Sequence, residues 1–154
     1  MAESRAEMCA CGENAEPLSL VESVGTELHE IDLKTVSIPA LAYLGDAVME
    51  LLVRSALVED GVSTAKSLNR AAMDFVRAPV QAAAMERILP FLTEEEAAAF
   101  RRGRNIGHTN TPKSATVAEY RNATGMEVLF GHLYLSHKMH RAKELFDLAY
   151  VRKK

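Results

Sequence analysis

Two cysteines, Cys9 and Cys11, are all that the 154 residues contain. One residue apart in a polar segment, they cannot staple a fold, and no second pair exists to complete a zinc site. They read as reduced thiols in an N-terminal tail, and without a secretory signal they point to the cytoplasm. No stretch approaches the ~18 uninterrupted apolar residues that a membrane-spanning helix needs. The opening MAESRAEMCACGENAEP has no apolar run behind its one arginine, so it does not read as a signal peptide. Alternating strand patterns, an Asn-Gly hairpin turn, internal repeats and low-complexity blocks are missing from the sequence. So are a glycine-rich nucleotide loop and the His-Glu-x-x-His zinc pattern. What remains is a globular composition, 48% apolar and 25% charged.

The net charge of −3 at first argues against a partner made of phosphates. Its distribution does not. Residues 1–32 carry eight acids against one base, a net of −7, while residues 33–154 carry 17 bases against 13 acids, a net of +4. The chain is a mildly basic domain with an acidic tail.

Helical signals dominate from Ser37 onward. Residues 1–17 read as an acidic, poorly ordered lead-in, with Leu18, Val21 and Leu28 suited to a helical turn or two. Ser37-Ile38-Pro39 predicts an N-cap with proline in the first turn, ahead of ALAYLGDAVMELLVRSALV, apolar on most of its circumference and so placed inside a core. Gly61 ends that helix, and Ser63 or Thr64 caps the next, about 65–75. Pro79 opens a stretch that Pro90 closes. Thr93-Glu94-Glu95-Glu96 predicts a capping box, before a helix ending between Gly103 and Gly107. After the polar loop HTNTPKSAT come a long helix over 117–135 and an amphipathic one over 138–150. The fold class is all-α, six or seven helices in one domain over 18–154.

Three features exceed what a plain core needs. Asp46, Glu50 and Arg54, spaced i, i+4 and i+8, share one face of the first long helix. Two arrangements satisfy them. In one, Glu50 and Arg54 pair at a wet edge and Asp46 pairs locally; in the other, Asp46 with Glu50 faces a cleft and holds a cation. Gly45 beside Asp46 favours close approach by another element, since a glycine inside a helix costs about 1 kcal/mol against alanine. Glu127 is the second feature, one carboxylate in NATGMEVLFGHLYL; it either pairs with an arginine such as Arg54 or Arg121, or meets Asp46 if the two long helices pack together. Carboxylates from two helices, completed by water, suit Mg²⁺. The third is basic: no acid lies between Ala97 and Ala118, while Arg101, Arg102, Arg104 and Lys113 do. That segment is either a solvated helix end or a phosphate-contacting patch.

ALAYLGDAVMELLVR resembles the signature helix of the ribonuclease III catalytic domain, and ATGMEVLFGHLYL that fold's second acidic helix. RRGRN, then TPKS, then EYRNATG is similar to the Mini-III branch of the family. The resemblance runs from about Leu33 to Leu148 in order and spacing. It implies an all-α homodimeric domain that hydrolyses double-stranded RNA with Mg²⁺-activated water, Asp46 and Glu127 being the metal ligands and catalytic acids. Glu50 is implied to be held to the metal through its outer shell of water, and Arg54 to neutralise the cluster. The larger family enzymes carry acids one turn before each ligand; here those positions are Ala42 and Thr124. No double-stranded-RNA-binding domain is read after the helical domain, which also fits Mini-III, whose bacterial members are associated with trimming the precursor of the large (23S) ribosomal RNA.

On that reading Arg101, Arg102, Arg104 and Lys113 hold RNA phosphates, with His108 ranked below them. None of the other histidines is expected in catalysis: His29 lies in the lead-in, His132 packs, and His137 and His140 share a solvated face. The alternative function is a dimeric module that binds structured RNA or a ribonucleoprotein without cutting it, which Ala42 and Thr124 favour. A helical protein-interaction domain is a third reading, which leaves both isolated carboxylates and the basic segment without a purpose.

Overall fold

The computed structural model describes residues 30–107 and 113–151. The lead-in 1–17, the turn proposed near Leu18, Val21 and Leu28, and His29 lie outside the described residues. Among the described residues there are six α-helices, one short 3-10 turn and no strand. The helices are α1 (Ile38–Glu59), α2 (Ala65–Val76), α3 (Ala78–Ile88), α4 (Glu94–Arg104), α5 (Val117–Leu135) and α6 (Met139–Tyr150), with the 3-10 turn Leu89–Phe91 before α4.

The predicted caps set these boundaries. Ser37 accepts the Ala40 N–H at 3.3 Å to start α1, and Thr64 does the same for Ser67 at the head of α2. Thr93 and Glu96 complete the expected capping box. A second box, Thr116 with Glu119, opens α5 and was also readable in the sequence as Thr-Val-Ala-Glu. Gly61, at φ 79°, turns the chain after α1.

Helix α5 is the hub. Ten of its 19 residues are buried, on every side of the helix, so it must be surrounded, and α1, α3, α4 and α6 all pack on it. Its most extensive contact is with α1. Leu52 and Val53 of α1, Met85 and Ile88 of α3, Leu129, Phe130 and Leu133 of α5, and Leu145 and Phe146 of α6 form one continuous core. Each such side chain contributes about 1.5–3 kcal/mol by leaving water. Phe75 of α2 joins through Phe146 and Tyr150, whose ring centres lie 6.5 and 5.1 Å from its own.

A buried ion pair locks α6 to the start of α4. Arg141 Nε donates to Glu96 Oε1 at 2.9 Å, and its Nη2 donates to Glu96 Oε2 at 3.1 Å and to the Phe91 carbonyl at 2.7 Å. Burial pushes the Glu96 carboxyl up, but the hydrogen bonds from Arg141 and Thr93 outweigh it and hold the group below its ordinary value. His132 is buried in the core as expected, its Nε2 3.3 Å from Glu95 Oε1, and His137 and His140 are exposed.

Candidate active site

Where α1 crosses α5, both helices carry glycine. A Cβ on Gly45 would overlap the Glu127 carbonyl oxygen and stand 2.8 Å from the Gly131 nitrogen; one on Gly131 would overlap the Leu41 carbonyl oxygen. The two backbones therefore touch, with no side chain between them. This close approach brings the residue after Gly45, Asp46, to face Glu127.

The Asp46 charge reaches Glu127. Burial, then the Asp46 charge, pushes the Glu127 carboxyl up from 4.5 to about 7. Burial, then the Glu50 charge, raises Asp46 from 3.8. Among the described residues neither acid has a cationic partner, and the pairing of Glu127 with Arg54 or Arg121 is not made. Arg54 instead pairs with Glu50 on the exposed side of α1. Glu50 and Arg54 form the wet pair of the first arrangement read for that face, and Asp46 stands exposed on the same helix without an ion pair among the described residues.

Glu127 lines a cleft of about 700 Å³ together with Arg77, Gln81, Ser114, Tyr120 and Thr124. Thr124 is buried, and Ala42, on α1 one turn before Asp46, is partly buried. Where the larger family enzymes are expected to carry acids, this site has a hydroxyl and a methyl group. No third histidine, cysteine or carboxylate gathers with the pair among the described residues.

The basic residues lie to one side. Gly103 of α4 packs against Val128 and Gly125 of α5, and Arg104 Nε donates to Asn122 Oδ1 at 3.1 Å. Asn122 and Glu127 are five residues apart, so at 3.6 residues per turn they are about 140° apart around α5. Arg101 donates to Glu94 Oε1 at 3.1 Å, so an acid two turns earlier neutralises it from outside the acid-free stretch. Arg102 and Lys113 are exposed, without a partner among the described residues. His108 lies outside them.

The sequence reading missed Arg77, Gln81, Ser114 and Tyr120. Gln81 had a signal. It shares the buried face of α3 with Ala84, Met85 and Ile88, where a polar residue is out of place.

A sequence model described as the Ribonuclease III domain matches residues 39–138. An all-α fold with an acid pair at its central helix crossing and this match together define an endoribonuclease of ribonuclease III type. A Mini-ribonuclease 3 of Symbiobacterium thermophilum is 45% identical, over 71% of this chain and 84% of its own. That of Enterococcus faecalis is 41% identical, over 75% of this chain and 89% of its own. A solved structure from Fusobacterium nucleatum covers 78% of this chain and 96% of its own at 32% identity, with a TM-score of 0.69. The chain belongs to the ribonuclease III family, in its Mini-ribonuclease 3 group.

Proposed function

We propose that this protein is a Mg²⁺-dependent endonuclease for double-stranded RNA, with Asp46 and Glu127 holding the cation. The observation that carries this is the facing pair itself: two carboxylates on helices in backbone contact, one with its pKa raised to about 7 and neither with a counter-charge. A divalent cation relieves that repulsion, and Mg²⁺ is commonly held by one or two carboxylates with several waters. The donor set fits. When bound, the cation supplies Lewis acidity toward the scissile phosphate and a lowered water pKa. Glu127 would give up its proton on taking it, and the close crossing at Gly45 and Gly131 sets how near the two helices hold the acids. Glu50 remains one turn away as a neighbour held through water, already paired to Arg54.

Arg102 and Lys113, exposed and without a partner among the described residues, are the cations assigned to backbone phosphates, with Arg101 and Arg104 of the same segment. The proposed assembly is a homodimer through the outer face of α1, where Tyr43, Leu51 and Val58 are 85%, 39% and 64% exposed and fall within about 80° of one another around the helix. Two centres related by a two-fold axis suit the cutting of two strands. The proposed natural substrate is the precursor of the large (23S) ribosomal RNA, met in the cytoplasm.

Incubating the protein with a long duplex RNA tests the reading. Fragments are expected with Mg²⁺ and none with chelator. Metal-independent fragments would overturn the role of the acid pair, and a retained complex without fragments would support the non-cleaving binder. The basic segment has its own test. Replacing Arg101, Arg102 and Arg104 by alanine together is expected to weaken duplex binding and lower the slope of log affinity against log salt by about two to three, near one per lost phosphate contact. An unchanged slope removes α4 from the RNA surface.

A further inference from the structure

Resting on the endoribonuclease reading, we propose that Gln81 reads the 2′-hydroxyl of the nucleotide seated beside Glu127, making it a residue that distinguishes RNA from DNA at the cut.

Gln81 is 4% exposed, on a face of α3 otherwise occupied by Ala84, Met85 and Ile88. Its side-chain amide makes no hydrogen bond to any described residue, yet it is not sealed away, because the little surface it retains opens into the cleft that Glu127 lines. Among the described residues the sealed, unpaired polar atoms are those of His132, so the Gln81 amide is open to what enters the cleft. It is a polar group held at the edge of an otherwise apolar face, and a partner reaches it through the cleft.

The chemistry narrows the partner. A carboxamide offers a donor and an acceptor in one planar group, which matches a hydroxyl that both donates and accepts. It carries no charge, so its pull on a cation is weaker than that of Glu127 and its pull on a phosphate weaker than that of an arginine. The stronger phosphate attraction is available at the rim, from the exposed Arg77 that lines the same cleft. Any strand that brings its scissile phosphate to Glu127 must place an adjoining ribose within a few ångströms. The 2′-hydroxyl, present in RNA and absent from DNA, is the group there with both hydrogen-bonding roles.

The test uses the wild-type chain first. A duplex RNA is prepared as a set, each member carrying one 2′-deoxynucleotide at a successive position around the cut, and kcat/KM is measured in Mg²⁺. One position is expected to show a five- to tenfold loss, about the loss for one neutral hydrogen bond. Gln81→Leu, checked for folding by its melting temperature, should lose a similar factor on the all-ribose duplex and no further factor at that position. A scan without a sensitive position, or a Gln81→Leu protein with the wild-type sensitivity, overturns the proposal. The scan needs no variant to fold. Failure to cut the all-ribose duplex would instead overturn the nuclease reading and this proposal with it.

Discussion

Replacing Glu127 by glutamine is expected to slow duplex cleavage on the order of 10³-fold, the scale of losing one group that organises charge in the transition state. The same change is expected to make the metal-free protein more stable above pH 7. Both follow from one carboxylate held against its preference. Its pKa stands at about 7 in the folded chain against 4.5 ordinarily. Between those values the folded chain keeps the proton and the unfolded chain has lost it. Stability of the metal-free protein therefore falls as pH rises through that window and is level above it. The full span corresponds to about 3 kcal/mol. Glutamine keeps the shape, carries no charge and removes the penalty. Urea midpoints in chelator at pH 5 and pH 8 measure it: the variant should gain at pH 8 and match the wild type at pH 5.

The proton and the cation compete for Glu127. Half-saturating Mg²⁺ should rise about tenfold for each pH unit below 7, because the carboxylate must deprotonate before it coordinates. Asp46→Asn is expected to abolish cutting as well, but with a different signature. It removes one of the two influences that raise Glu127, so the pH midpoint of the remaining stability change moves below 7. Wild-type cutting by either variant would remove the pair as the centre.

The two acids could be singled out because Asp46 belongs to one charged face of an otherwise apolar helix and Glu127 stands alone in another, where an uncompensated carboxylate is expensive. That they meet was not legible from either helix. It depends on Gly45 and Gly131 facing each other across the crossing, and residues 86 positions apart leave no local trace of such a contact. Helix ends were legible for the opposite reason: Ser37, Thr64 and Thr93 bond to N–H groups within their own first turn, so the signal is local. In the basic segment, counting acids along the chain hid Glu94, which reaches Arg101 over two turns of the same helix. The far wall of the cleft was missed because Arg77, just ahead of α3, and Gln81, within it, are placed by the packing of α3 against α5, a tertiary fact. Gln81 on an apolar stripe was the one local hint.

Alanine at Gly45 is expected to have the largest effect on stability, about 3 kcal/mol or more. A methyl group there meets backbone, the Glu127 carbonyl and the Gly131 nitrogen, and neither can rotate away as a side chain could. The helices must separate by more than 1 Å along their most extensive contact, and core overpacking ordinarily costs about 1–3 kcal/mol. Alanine returns about 1 kcal/mol of helix propensity. That gain is too small to offset a gap opened along α1 and α5, where lost contacts accumulate over several turns. Gly107→Ala is the control, since a Cβ there has nothing within 4 Å, and its midpoint should shift by less than about 0.5 kcal/mol. Because the atom struck belongs to Glu127, Gly45→Ala should also cost cleavage at temperatures where the variant remains folded. A midpoint equal to that of the Gly107→Ala protein would mean that the helices do not touch, and the fixed separation of Asp46 from Glu127 would lose its basis.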